Sequence, residues 1–380
     1  MDPDPSPGVP EILDRIRGEI RTRGPIPFAR FMEIALHDPV HGYYAGGAAR
    51  LGRGGDFFTA SDVGTFFGEC VARQLIEMDR VLGRPARFAA IEIGAGRGLL
   101  ARDVLDAARG IDAEFASRLD YVMVDRSAGM REAAAGQVSE GAALPPERLP
   151  RAEAGCVLAV ELFDALPVHR LRRRDGRLRE VLVGVDGRGG LEETEGDPAP
   201  EAAALAIRYG AAAGEGEEAE VCPAADAQID AAARSIDRGF VLAVDYGDPA
   251  ARLYGPSRPR GTLLAYHRHA TNEEYLLRVG EQDLTAHVNF TQIEDRALGL
   301  GLVPLGFTTQ DRFLIANGIL RHFEDAGEDR GNVARARARL RAMQLIHPDG
   351  MGRVFKVLIL SKGIDLPPVL AGLEDPFRRG

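Results

Sequence analysis

At 380 residues and 45% hydrophobic composition, the chain can bury a large core in one elaborated domain or two modest ones. A formal net charge of -10 argues against the dominant basic face that nucleic-acid phosphates require, and no apolar run is long enough to span a bilayer. The three cysteines, Cys70, Cys156 and Cys222, lie far apart with no zinc or disulfide spacing, so buried reduced thiols are expected.

The N-terminal stretch "MDPDPSPGVPEILDRI" is acidic and Pro-rich, unlike a secretion signal or a mitochondrial presequence, and sets the expectation of a cytoplasmic protein. Residues 1 to about 85 carry helix signals. "PFARFMEIAL" begins with Pro27, which suits a first helical turn, and "TFFGECVARQLIEM" spaces its apolar residues at helical period. An N-terminal helical extension is therefore expected ahead of a main domain over 86–380.

From residue 87, apolar segments alternate with amphipathic ones, the pattern of an α/β domain with a mainly parallel sheet. "RFAAIEIG" (87–94) predicts a first strand, followed by a helix through "LLARDVLDAAR". "LDYVMVD" (119–125), "AGCVLAVEL" (154–162) and "GFVLAVDYG" (239–247) predict three more, each apolar enough to be covered on both faces. "GLVPLGFTT" (301–309) and "GRVFKVLILS" (352–361) close the series, the last suiting an antiparallel strand inserted near the edge. Residues about 168–237 are read as an insertion between core strands. The basic run "HRLRRRDGRLRE" inside it reads as a solvated hairpin around an Asp-Gly turn rather than a phosphate patch.

The sharpest local signal is "EIGAGRG", Glu92 to Gly98, between a strand and a helix. Gly94, Gly96 and Gly98 let the backbone approach a ligand closely, and the helix start presents free N–H groups. A dinucleotide site wants a third glycine where Leu99 stands; Gly-x-Gly-x-Gly with Glu92 two residues ahead is the spacing used for S-adenosylmethionine. Asp125, ending the second strand, suits ribose hydroxyls, which need an acceptor-only group there.

Ligands in open α/β sheets sit beyond the carboxyl ends of the strands. The stretch "VELFDALPVHR" places Glu161 and Asp164 at such an end, where paired carboxylates suit a planar cationic acceptor such as guanidinium. Glu161 needs a partner, because an acid ending a buried strand is costly alone. Asp164 either shares that role or caps a following helix. In "LTAHVNF", His287 is either a proton acceptor lining the acceptor pocket or a loop anchor. His267 and His269 in "AYHRHA" fall on one side of a strand, but no carboxylate or cysteine completes a metal-ligand spacing, so no metal is expected. His41, Tyr43 and Tyr44 are expected to pack N-terminal helices, and Tyr246 to contribute a weaker contact.

"PFARFMEIALHDPVHGYYAG", "GDFFTASDVGTFFGECVARQL", "EIGAGRG", "ELFDALPVHR", "VDYG", "GEQDLTAHVNF" and "GFTTQDRFLIANGI" occur in the order seen in the MidA-like methyltransferases, which the chain resembles from about residue 24 to about 361. That family contains the protein arginine methyltransferase of mitochondrial complex I assembly. The resemblance implies a class I methyltransferase fold, a Rossmann-like seven-stranded sheet that uses S-adenosylmethionine, with a protein arginine as the best-known acceptor. By position it assigns Gly94, Gly96 and Gly98 to the cofactor loop and Asp125 to the ribose. Gly55, Asp56 and Thr59 match an N-terminal loop resembling a lid, and Glu161 and Asp164 the strand-end acids. The chain departs from the family at Val160, where Asn is usual, at Asp125, where Glu is commoner, and at "TASDVG", which replaces a Ser-Pro-Glu version.

A partner-protein arginine is thus the expected acceptor. The alternatives are a small biosynthetic O or N nucleophile, or a scaffold that binds the cofactor without turnover. A nicotinamide oxidoreductase is disfavoured by Leu99. Neither nucleic acid nor membrane is expected as a partner.

Overall fold

A computed structural model of the chain describes residues 6–45, 60–324, 333–365 and 368–377. They divide into two compact units, each drawn from three stretches of chain.

The unit formed by residues 58–162, 229–246 and 294–380 contains a mixed sheet. Its strands are β1 (Phe88–Ile93), β2 (Leu119–Val124), β3 (Ala142–Leu144), β4 (Ala152–Val160), β5 (Ile236–Asp248), β6 (Leu302–Thr309) and β7 (Phe355–Lys362). They lie in the order β3-β2-β1-β4-β5-β7-β6. All pairs from β3 to β5 are parallel, and β7 runs antiparallel to both β5 and β6. This agrees with the expected antiparallel insertion near the edge.

Every residue of β1 is buried, which explains why its sequence is apolar throughout rather than alternating. Helices Phe66–Val81 and Leu99–Ile111 cover the sheet with Phe67, Val71 and Leu75 from one and Leu100 and Val104 from the other, in a core with Phe88, Tyr121, Leu158 and Leu242. The reversal of strand order at β1 and β4 creates a switch point. In such folds ligands bind beyond the carboxyl ends of the strands there.

The second unit, from residues 1–57, 163–228 and 247–293, has its own cores. Helices Pro10–Arg23 and Phe28–His37 bury Ile12, Ile16, Phe28 and Phe31 beside Val183 and Leu284. Pro27 precedes the second helix instead of occupying its first turn. An antiparallel sheet carries strands His169–Arg174 and Arg177–Val185, joined through Asp175 and Gly176 at φ 50° and 71°, the paired positive values of a tight hairpin turn. Arg172 pairs with Glu218 and Glu195, and Arg174 with Glu195, so the basic run is a neutralised hairpin face.

Leu264–His267 and Ala270–Asn272 form another hairpin. Its turn is Arg268 and His269, both at positive φ, so His269 is not a strand residue sharing a face with His267. A two-residue strand, Val288–Asn289, pairs in parallel with Gly247–Asp248, the end of β5 that falls in this unit.

Candidate active site

The turn after β1 is built from alternating left-handed glycines, Gly94, Gly96 and Gly98 at φ 78°, 52° and 74°. A Cβ on Gly94 would meet Leu162 Cδ1 at 2.9 Å and one on Gly98 would meet Ala134 and Met123 Sδ at 3.0 Å, so those two glycines permit close packing. A Cβ on Gly96 would meet nothing within 4 Å. Gly96 therefore turns its missing side chain toward open space, as a ligand cradle requires. Helix Leu99–Ile111 starts directly after Gly98.

The two acids of this region have separate surroundings. Asp125 accepts the N–H of Gly96 at 2.9 Å and that of Ser127 at 2.8 Å. Burial raises its pKa, opposed by these two bonds and by Arg131 and Arg126. Each carboxylate oxygen keeps a second lone pair for hydroxyl donors. Glu92 sits among core side chains and accepts the Tyr121 hydroxyl at 2.9 Å. Desolvation pushes its pKa up to about 8, so it is a neutral acid at pH 7.

Glu161 follows β4 and adopts φ 52°, a left-handed backbone rare for a residue with a side chain. Its N–H bonds to Val244 O on β5, and its Oε1 accepts the N–H of Ala60 at 2.8 Å. Ala60 opens the short helix Ala60–Val63. On that helix Asp62 pairs with Arg97 from inside the glycine loop. The glycine spacing marks the loop in the sequence, yet nothing local links Arg97 to a residue 35 positions earlier. Gly55, Asp56 and Thr59 lie outside the described residues.

In the other unit, Asp164 is buried, but no helix follows it. Residues Phe163–Leu166 form a turn leading to strand His169–Arg174, so the capping alternative is not realised. The carbonyl of Asp164 accepts the N–H of Ala286, and its carboxylate acts, with that of Asp283, on the same two tyrosines. Tyr44 donates to Asp283 Oδ1 at 2.8 Å while its ring stacks on His37. Desolvation first, then Asp283 and Asp164, raises the Tyr44 hydroxyl well above its ordinary pKa; the same causes raise Tyr266. Tyr44 thus does more than pack the N-terminal helices, as Tyr43 does, whereas His41 is exposed.

His287 is half-buried, with its N–H bonded to the Thr262 hydroxyl, and lines a small recess with Glu220, Tyr254 and Asn289. Tyr246 packs edge-on against Phe355. All three cysteines are free thiols, Cys222 only half-buried. Among the described residues no group of three or more His, Cys, Asp or Glu side chains could hold a metal, and no helix is long and apolar enough to cross a membrane.

Residues 70–308 match the family described as S-adenosyl-L-methionine-dependent methyltransferase. The chain belongs to that family. It is 32% identical over 310 residues to the Drosophila melanogaster protein arginine methyltransferase NDUFAF7 homolog, mitochondrial, covering 73% of this chain and 68% of that protein. Identity is 28% over 374 residues to the Danio rerio protein arginine methyltransferase NDUFAF7, mitochondrial, with 91% and 85% covered. A Burkholderia thailandensis crystal structure bound to S-adenosyl-homocysteine superposes with a TM-score of 0.84 at 31% identity, covering 95% of this chain and 94% of that one.

The methyltransferase therefore uses S-adenosylmethionine, and its α/β sheet with the reversed final strand is a methyltransferase fold. The residues after β1 fit that cofactor. Gly96 opens toward free space, Asp125 is an acceptor-only group at the neighbouring strand end, and the adenosyl group brings no phosphate for a carboxylate to repel.

Proposed function

We propose that the methyltransferase acts on an arginine side chain of a partner protein. The observation that carries this is Glu161, held in a left-handed conformation at the end of the strand beside the cofactor turn. Strain of this kind persists where the surrounding structure imposes it, commonly at functional sites. The Drosophila and zebrafish relatives, named as protein arginine methyltransferases, support the same acceptor.

In this reading Gly94, Gly96, Gly98 and Asp125 hold the cofactor, with Gly55, Asp56 and Thr59 as a lid; Glu92, expected at the cofactor from its place in the motif, is instead buried in the core on the Tyr121 hydroxyl. When bound, the cofactor supplies an electrophilic methyl group on a sulfonium. Glu161 orients the guanidinium through charge-assisted hydrogen bonds and accepts the proton that the methylated nitrogen releases. Asp164 adds negative charge to the acceptor side, and His287 is a second proton acceptor. Along the chain we propose an N-terminal extension over 1–85 and a main domain over 86–380 with an insertion at about 168–237, bounds that the two compact units cross, since residues 58–85 fall with the sheet and 1–57 with 163–228.

Val160 favours a second reading, because a polar side chain usual in the family is missing next to Glu161. That reading is a small O or N nucleophile as acceptor. Three free thiols suit a reducing compartment; we propose the cytoplasm, whereas the curated relatives are called mitochondrial.

Purified protein, methyl-labelled cofactor and cell lysate decide between the acceptors. Label in a protein band that hydrolyses to methylarginine is the expected result. Label confined to small molecules would overturn arginine, and unlabelled lysate despite cofactor binding would favour a scaffold without turnover.

A further inference from the structure

We propose that Arg97 and Asp62 form a positioning latch that holds helix Ala60–Val63 against the glycine loop and sets the preference for charged cofactor over neutral product. The proposal rests on the reading that this loop holds S-adenosylmethionine. Neither residue belongs to the glycine or strand-end pattern that points to the cofactor.

The geometry has two independent ties. Arg97 sits between Gly96 and Gly98, inside the loop itself, and its guanidinium pairs with the Asp62 carboxylate. Glu161, at the end of β4, accepts the Ala60 N–H at 2.8 Å. One short helix is thus fastened at its first residue to a strand end and at its third to the turn. Ala60 and Val63 of the same helix are buried in the apolar core. The pair is also sheltered: the side chains are 19% and 7% exposed, so water screens it less than a surface pair.

The charge logic follows from the chemistry of the two ligands. S-adenosylmethionine carries a sulfonium charge that S-adenosylhomocysteine lacks; their amino and carboxylate groups are the same. A cation such as Arg97 in the turn would oppose the charged ligand unless neutralised at the same place. Asp62 supplies that neutralisation. Removing the Asp62 charge leaves a bare guanidinium in the loop and penalises the charged ligand more than the neutral one. Removing the Arg97 charge loosens the helix without adding such a penalty. A merely structural pair would lower both affinities by the same factor.

The test is titration calorimetry of the full chain with each ligand, using Asp62→Asn, Arg97→Gln, the double variant, and Arg97→Lys as a charge-conserving control. For Asp62→Asn the expected loss is about tenfold for S-adenosylmethionine and clearly less for S-adenosylhomocysteine, the scale of a sheltered pair. Arg97→Gln leaves the Asp62 carboxylate unpaired, so it should weaken S-adenosylhomocysteine more than S-adenosylmethionine, and the double variant should regain discrimination lost in Asp62→Asn. Arg97→Lys should stay near wild type, which also shows that the helix still docks. Unchanged affinities, or equal losses for both ligands in Asp62→Asn, would overturn the latch.

Gly96→Val separates this from failure of the cofactor site. A Cβ at this position meets no protein atom within 4 Å, but φ 52° strains a β-branched residue, so Gly96→Asn, which tolerates that backbone better, is measured beside Gly96→Val; both side chains start into the cradle and both variants should abolish binding of both ligands. Wild-type affinity in Gly96→Val would instead overturn the cradle itself.

Discussion

The carboxylate of Asp125 accepts the backbone N–H of Gly96 at 2.9 Å, joining the end of β2 to the middle of the glycine turn on β1. One side chain thus shapes the loop proposed to hold the cofactor. Asn at this position offers a single acceptor oxygen, so either the Gly96 or the Ser127 bond is lost. Asp125→Asn should cost about 1–2 kcal/mol in denaturant unfolding. It should also weaken S-adenosylmethionine binding by at least about tenfold, the scale of one lost hydrogen bond to a charged group. Wild-type affinity by calorimetry would remove Asp125 from the cofactor site.

Glu92 makes a pH prediction with a definite sign. Its pKa rises from the model-compound value of 4.5 to about 8 because burial disfavours the anion. Below pH 4.5 both folded and unfolded chains hold the proton, and that stability is fully present. Between pH 4.5 and 8 the folded state alone keeps it, so stability falls as pH rises, by up to about 1.4 kcal/mol per pH unit. Above about 8 this contribution is gone. Urea unfolding at pH 5, 6, 7 and 8 should show the slope in wild type and a flatter profile in Glu92→Gln. Parallel profiles would mean that the carboxyl is ionised in the fold.

These two acids mark what the sequence makes legible and what it hides. Strands β1, β4 and β5 are readable because burial on both faces demands unbroken apolar runs, and the Asp175-Gly176 turn is readable because few residues tolerate paired positive φ. Gly94, Gly96 and Gly98 are readable for the same conformational reason. The partners of the site acids are not, since a hydrogen bond such as Tyr44 to Asp283 joins residues 239 positions apart and depends on tertiary packing alone. Asp164 looks like a helix cap because Asp is among the favoured N-cap residues. The chain goes directly into strand His169–Arg174 instead, and local propensity gives no warning. His269 hides similarly, in a turn made by two residues that usually avoid positive φ.

The Tyr44 hydroxyl is predicted to support Asp283 rather than merely fill space. Asp283 is 1% exposed, and besides Tyr44 its Oδ1 accepts the Leu284 N–H at 3.0 Å. Tyr44→Phe keeps the ring on His37 but removes a donor from a buried carboxylate, at a cost of about 1–3 kcal/mol. Asp283→Asn should recover part of that loss in the double variant, because a neutral amide needs the donor less. Additive losses in the double-mutant cycle would show that the two groups do not interact.

Glu161 separates chemistry from backbone strain. At φ 52° a side-chain-bearing residue pays about 1–2 kcal/mol that glycine does not. Glu161→Gly relieves this while losing the bond to Ala60 N–H, worth about 1 kcal/mol, so stability should change by less than about 1 kcal/mol. Glu161→Gln keeps an acceptor for Ala60 but cannot take a proton, and its turnover should fall by about a hundredfold, the low end for loss of a general base. Cofactor affinity in Glu161→Gln should stay at the wild-type value. Near-normal turnover in Glu161→Gln, beside impaired turnover in Glu161→Gly, would make Glu161 a tether for helix Ala60–Val63 and move proton acceptance to another residue.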